Sequence, residues 1–261
     1  LCPAQLPERD WSLKFHPRAC LPPAFLSKKS YFILFFFDID TVSFLIYPEI
    51  KDVSLNLNKR QILDHVSLKL QEGKIYGLVG NNGSGKTMLM KCVCGFIHPT
   101  SGIVLADEKV IGKDVDYLPD AGVIIETPGF ISYYSGLQNL KVLAGIKNRI
   151  GNSQIRDAMK RVGLDPDLKL PVKKYSLGMR QRLGLAQAIM ESPSVLILDE
   201  PMNGLDKNGV EEIRQLLLFM KNDHKTIVIA SHNAEDIQVL CDEVYEMENG
   251  KLDVNSIKQQ I

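Results

Sequence analysis

Between Glu49 and Leu70 the chain reads "EIKDVSLNLNKRQILDHVSLKL", short alternations of β-branched or leucine positions with polar ones, broken once by the polar "NKRQ". A period of two with a polar interruption predicts two antiparallel strands joined by a turn at 58–61. "GKIYGLVG" (73–80) follows as a buried strand closed by glycine, and "KTMLMKCVCGF" as a helix stopped by Gly95, with Pro99 shortly beyond. From 130 to 175 the period lengthens. "LQNLKVLAGIKNRI" and "NSQIRDAMKRVGL" read as helices; in the second, Asn152 and Ser153 are placed to cap, Ile155, Met159 and Val162 recur at i, i+4 and i+7, and Gly163 ends the pattern. "PSVLILDEP" is apolar throughout, as a strand covered on both faces is, and a helix near 209–222, the strand "TIVIAS" and a hairpin turn "ENGK" (248–251) complete the series. Alternating strands and helices predict an α/β layered domain carrying a helical arm at about 130–190.

Composition narrows the partners more than the fold. The 31 Lys+Arg balance the 31 Asp+Glu, so no excess of one charge marks the chain for nucleic acid or an anionic membrane. The five cysteines form neither a zinc spacing nor a disulfide ladder; Cys92 and Cys94 read as packing residues in a helix, and a reducing compartment is the simpler setting.

Residues 1–48 differ from the rest. They contain six of the 13 prolines, the only tryptophan (Trp11) and the run "YFILFFFDIDTVSFLIY" (31–47). A membrane span needs roughly 20 apolar residues, and Asp38 and Asp40 near the middle of this run would each cost about 3 kcal/mol there. A secretory signal fits no better, because some thirty residues precede the apolar run and no small-residue cleavage site closes it. The expectation is an irregular or appended leader over 1–48, with a tail at 255–261.

The chemistry sits in four places. "GNNGSGKT", Gly80 to Thr87, fits G-x-x-x-x-G-K-[ST] between a strand and a helix; its glycines let backbone N–H groups wrap a β-phosphate, Lys86 supplies a cation, and the Thr87 hydroxyl can ligate Mg²⁺. "VLILDEP" puts Asp199 and Glu200 at a strand end, the first suited to a metal's water shell and the second to polarising an attacking water. "IVIASH" ends another strand in Ser231 and His232, where an imidazole can hydrogen-bond a γ-phosphate. Finally, "YSLGMRQRLGLAQAI" opens a helix with a small polar residue and no acid, so its N-terminus suits an anion.

The order phosphate loop, "YSLGMRQR", "VLILDEP", "NGLD" (203–206) and "SH" resembles the ATP-binding subunits of ABC transporters over roughly residues 49–254. "YSLGM" together with "IIETPGF" is similar to the subgroup serving bacitracin- and lantibiotic-type exporters. The resemblance implies a P-loop NTPase of ABC type, with a mixed-sheet ATP-binding core, an antiparallel β subdomain and the helical arm. It implies ATP and Mg²⁺ as ligands and ATP hydrolysis as the activity. Gly80, Asn81, Asn82, Gly83, Ser84, Gly85, Lys86, Thr87 and Met88 are then expected to hold the nucleotide, with Glu126, Ser176, Gly178 and Asp206; Thr87, Asp199 and Glu126 to hold the metal; Glu200 and His232 to act in hydrolysis. The resemblance further implies a head-to-tail homodimer, or a pair with a paralogous ATPase subunit, in which Ser176 and Gly178 reach the γ-phosphate of the partner's site. A separate transmembrane permease would place the protein in the cytoplasm, on the inner face of the cell membrane. No nucleic-acid partner is expected.

The chain departs from the family pattern at several positions. Leu177 replaces a glycine and Met179 a glutamine of the signature, and Glu126 replaces a glutamine, adding its charge to those of Asp199 and Glu200. Leu57 stands where an adenine-stacking aromatic is usual, and such stacking contributes about 1–3 kcal/mol; Tyr47 or a leader aromatic is the alternative. Two rival readings remain at this point. One is a non-transport ABC-type ATPase acting on ribosomes or DNA, against which stand the single phosphate loop and the short stretch between Lys86 and Ser176. The other is a catalytically impaired nucleotide-sensing subunit, against which stand Glu200 and His232.

Overall fold

The computed structural model describes residues 47–127 and 129–253. The expected leader therefore lies outside the described residues but for Tyr47 and Pro48, as does the tail. Pro48 itself is the first residue of β1 (Pro48–Leu57), which pairs antiparallel with β2 (Arg60–Lys69). The turn between them is only two residues long. Asn58 and Lys59 both take left-handed φ, 49° and 64°, and Leu57 faces Arg60 across it. A two-residue turn of this hand follows the right-handed twist of the strands; Arg60 and Gln61, expected in the turn, are thus strand residues.

β1 also pairs with β4 (Ser101–Ala106), which carries the short β5 (Lys109–Val110), giving an antiparallel sheet of order β2-β1-β4-β5. The second sheet is mainly parallel. It contains β3 (Ile75–Val79), β6 (Ala121–Ile124), β7 (Val195–Asp199), β8 (Thr226–Ala230), β9 (Glu243–Glu248) and β10 (Lys251–Asp253) in the order β10-β9-β3-β8-β7-β6. Only β10 runs against its neighbour, through the hairpin that Asn249 and Gly250 close with positive φ.

β3, β7 and β8 are buried on both faces, which explains their unbroken apolar sequences. In β7 the alternation divides the residues between two cores. Val195 and Ile197 pack with the antiparallel sheet and α1 (Lys86–Cys94), while Leu196 and Leu198 pack with the helical arm. Cys92 and Cys94 are buried in the first core, and burial raises their thiols to about 11 and about 12, as expected of packing residues.

The arm comprises α2 (Gly136–Lys147), α3 (Asn152–Arg161) and α4 (Leu177–Ile189). Ser135 and Gln138 close a capping box on α2. α3 begins one residue earlier than its cap was expected: Gly151 is the N-cap, its N–H donating to Gln154 Oε1, and Asn152 and Ser153 are already helical. The glutamine at the third helical position satisfies the N–H of the cap residue itself; Gly151 has no side chain to accept from the helix's first N–H groups in return. Ile155, Met159 and Val162 are buried, and Gly163 leaves the helix at φ 73°. α5 (Lys207–Asn222) and α6 (Ala234–Leu240) flank β8 in sequence. Among the described residues no helix is long and apolar enough to cross a membrane.

Candidate active site

A cleft of about 740 Å³ opens at the C-terminal ends of β3 and β7, where parallel α/β sheets place their ligands. Its floor is the 80–85 loop. Gly80, Gly83 and Gly85 take φ of 139°, 82° and 115°, and a Cβ on Gly80 would lie 2.2 Å from the Met247 carbonyl oxygen. Gly80 and Gly85 have no room for a side chain without movement of their neighbours, while Gly83 faces open space and is held to glycine by its φ alone. Gly85 caps α1 with no side-chain acceptor and no acid follows in the first turn, so the helix presents its N–H groups and positive end to the cleft. Ser84 Oγ is buried inside the loop without a hydrogen-bond partner among the described residues. Lys86 Nζ arches back to donate to the carbonyls of Gly80 (2.7 Å) and Asn81 (3.1 Å).

Thr87 Oγ1 donates to Asp199 Oδ2 at 2.7 Å, joining the loop to the end of β7. A hydroxyl and a carboxylate form a hard oxygen pair that suits Mg²⁺, an ion that usually takes one or two carboxylates and completes its shell with water and substrate phosphates. No group of three or more His, Cys, Asp or Glu residues suited to a metal occurs among the described residues.

Glu200 follows at φ 49°, its N–H bonded to the Ala230 carbonyl at the end of β8. Its Oε2 lies 2.8 Å from His232 Nδ1. From the other side Gln181 of α4 donates its amide to the carbonyls of Glu200 (3.1 Å) and Pro201 (3.0 Å). The unusual backbone at Glu200 is thus held at three points, and such local strain persists only where surrounding structure imposes it.

Several expected residues sit differently. Glu126 lines the cleft, but its Oε1 pairs with Lys91 Nζ of α1 at 2.5 Å, so its charge does not simply add to those of Asp199 and Glu200. Ser176 is the N-cap of α4, accepting from the Met179 N–H at 3.1 Å. Ser176 and Gly178 do not line this chain's cleft, whereas Leu177, Arg180 and Gln181 of the same helix do. Gly178 instead abuts the 203–206 loop; a Cβ there would lie 2.8 Å from the Gly204 carbonyl. Asp206 is the N-cap of α5, accepting from the Gly209 N–H, and it too stands outside the cleft. Asn81 and His232 border a neighbouring groove with Gly80 on the other flank of the loop.

Leu57, 39% exposed, is not among the cleft-lining residues, and Tyr47 lines a separate depression with Lys69 and Leu105. The end of the cleft away from Glu200 is formed by Arg60, Gln61 and Ile62 of β2 with Asn249 and Gly250 of the β9–β10 turn. Sequence reasoning missed all five. The only signal available was the two-residue hairpin, which sends 60–62 along β2; the proximity of Gly250 to the loop, whose N–H donates to the Ser84 carbonyl, is non-local and left no mark on the sequence.

A family model described as ABC transporter matches residues 63–203. An uncharacterised ABC transporter ATP-binding protein of Bacillus subtilis is 41% identical over 207 residues, covering 79% of this chain and 95% of that one. The bacitracin transport ATP-binding protein of Enterococcus faecalis is 38% identical (78% of this chain, 67% of that one), and the lantibiotic transport ATP-binding protein of Streptococcus pyogenes 36% identical (78% and 88%). Among solved structures, a dimeric bacterial ABC transporter cassette superposes with a TM-score of 0.72 at 22% identity, covering 79% of this chain and 96% of that one. The ATP-binding subunit of an ABC transporter gives 0.71 at 22% identity, covering 79% and 88%. At that identity the likeness establishes the fold.

Proposed function

The chain belongs to the ABC transporter family as an ATP-binding, ATP-hydrolysing subunit, and from that premise we propose which residues do the work and what the subunit serves. The observation that carries the reading is the meeting, at the ends of adjacent parallel strands, of the Thr87–Asp199 pair with the Glu200–His232 pair. ATP lays its phosphates along Gly80–Thr87, with Lys86 moving from the loop's own carbonyls to the β- and γ-oxygens. Mg²⁺, held by Thr87 and Asp199, would neutralise charge that builds on the phosphoryl oxygens. Glu200 accepts a proton from the attacking water, and His232 fixes the carboxylate that does so. Gln181 stops the Glu200 backbone from retreating.

Ser176, Gly178 and Asp206 serve a second copy. They lie outside their own cleft on the exposed start of α4 and the adjoining 203–206 loop, a placement suited to approaching the γ-phosphate of a head-to-tail partner. A paralogous ATPase subunit would fill the same role. Relatives named for bacitracin and lantibiotic transport support a subunit that drives export of a peptide or drug through a separate permease, working in the cytoplasm against the inner face of the membrane.

Phosphate release from the purified chain, measured across a dilution series in Mg·ATP, tests the core of this reading. Specific activity should rise with chain concentration, because a complete site needs two chains. A concentration-independent rate would assign hydrolysis to the monomer and remove Ser176 and Gly178 from the chemistry.

A further inference from the structure

We propose that the buried Arg214–Asp236 ion pair is a positioning device for His232, acting through Ser231, so that it governs the rate of hydrolysis and not the binding of nucleotide. The inference rests on the role given above to His232.

Arg214 on α5 and Asp236 on α6 are 6% and 2% exposed. Asp236 Oδ1 accepts from Arg214 Nη2 at 2.6 Å and from Nε at 3.0 Å, a two-pronged contact that locks the helices in one relation. Glu235 also takes the guanidinium, at 3.2 Å. The second carboxylate oxygen of Asp236 faces Ser231 Oγ at 3.4 Å, a long contact, and the same hydroxyl accepts from the Asn233 N–H at 3.1 Å. Ser231 is itself buried. Residues 231 and 233 are therefore tied to one another and, through Asp236, to two helices. His232 is the residue between them.

His232 needs such help. Its side chain is 77% exposed, and the polar contact it makes is the one to Glu200. An exposed imidazole at the end of a strand gains little from a single surface contact and loses rotamer freedom in making it. Its aim must come from its backbone, and the backbone here is fixed by the turn that Ser231 closes.

Stability alone explains the pair poorly. Desolvation of two buried charges offsets most of their attraction, and apolar replacements of such pairs are often no less stable. What apolar residues cannot supply is one defined geometry linking α5, α6 and the residue before His232. The rest of the site is independent of it: Lys86, Thr87 and Asp199 have their own partners.

A double-mutant cycle between Asp236→Asn and His232→Ala separates positioning from general destabilisation. With the full chain, Asp236→Asn should lower kcat about tenfold while ATP affinity, read by direct titration, stays within about twofold; in the His232→Ala background it should slow hydrolysis by less than about twofold. Ser231→Ala is the second arm, in case Asp236→Asn does not fold. It leaves the ion pair whole and removes the Ser231 hydroxyl, and with it both the contact to Asp236 and the bond from the Asn233 N–H, and should lower kcat about threefold with an unchanged melting temperature and the same loss of effect beside His232→Ala. Either substitution slowing the His232→Ala chain by the factor it slows the wild type, or leaving kcat untouched, overturns the inference. If His232→Ala itself hydrolyses at the wild-type rate, the reading of His232 falls, and this inference with it.

Discussion

At the Glu200 end of the cleft the proposed working groups come from strand–helix and strand–turn junctions: Lys86 and Thr87 after β3, Asp199 and Glu200 at the end of β7 and just past it, His232 after β8. At the opposite end Arg60, Gln61 and Ile62 come from the turn end of an antiparallel ladder, and Asn249 and Gly250 from a hairpin tip. The first end is fixed by topology. Parallel strands that are hydrogen-bonded neighbours must deliver their C-terminal residues to one place, so short motifs far apart in sequence meet without further specification. The second end is fixed by register, where a slip of one residue would change which side chains face the cleft. The phosphate end therefore tolerates little substitution, whereas the other end can change residues and still offer a wall.

The largest expected effect is at the topological end. Glu200→Gln removes the general base while keeping the shape and the hydrogen-bonding capacity toward His232, and should slow hydrolysis about 10²- to 10⁴-fold. ATP binding should persist, and the trapped nucleotide should hold two chains together in Mg·ATP. Full turnover, or a monomer by light scattering, would contradict the roles given to Glu200 and to the partner copy. Next in size, Lys86→Ala takes the only side-chain cation out of the loop and should weaken Mg·ATP about a hundredfold, the scale of one or two charge-assisted hydrogen bonds. Unchanged affinity by titration would remove Lys86 from the site.

The same division explains what the sequence disclosed. The α/β layered domain, the burial of "VLILD", the stop at Gly95 and the "ENGK" hairpin were legible because each is a local pattern of period or turn chemistry. β6 is four residues long, and β4, β5 and α6 are short as well, too brief to show a period. Leu57 stands where the motif places an adenine-stacking aromatic; the hairpin turns at Asn58–Lys59, and 60–62 of the next strand line the cleft. Asp206 opens "DKNG", which is also the start of a capped helix, and within one chain it is the N-cap of α5; its contact to a nucleotide is proposed across a pair of chains. Glu126 shows the limit most plainly: its partner Lys91 is 35 residues away on another element, and no spacing rule connects them.

That pairing predicts a smaller effect at the junction of the two ends. Lys91→Ala should leave the Glu126 carboxylate uncompensated beside Asp199 and Glu200 and weaken Mg·ATP about fivefold at low salt, less at high salt, since Glu126 is exposed and screening is effective there. Glu126→Gln in the same chain should restore the loss. A defect insensitive to both salt and Glu126→Gln would mean that Lys91 acts by packing.

The smallest effect is expected at the wall built by register. Arg60 is exposed on β2 beside Ile62, and no aromatic ring is among the described residues that line the cleft. On the proposed placement, with the phosphates on the loop and the γ end at Glu200, the base would extend toward this wall, where a planar guanidinium can lie against the face of a purine. Such a contact contributes about 0.5–2 kcal/mol. A ring's face differs little between adenine and guanine; discrimination needs donors and acceptors aimed at the base edge. Gln61 is the nearby amide on the same strand, and its Nε2 is already donated to Asp64 Oδ1 at 2.8 Å. Arg60→Ala should therefore weaken ATP and GTP alike, by about three- to fivefold, with kcat at saturating nucleotide unchanged because the hydrolytic groups are at the other end. Equal losses in the two titrations would mark the wall as a stacking surface that does not read the base. A loss confined to ATP would show instead that Arg60 reads the adenine edge, and that the two ends of the cleft differ less in specificity than their construction suggests.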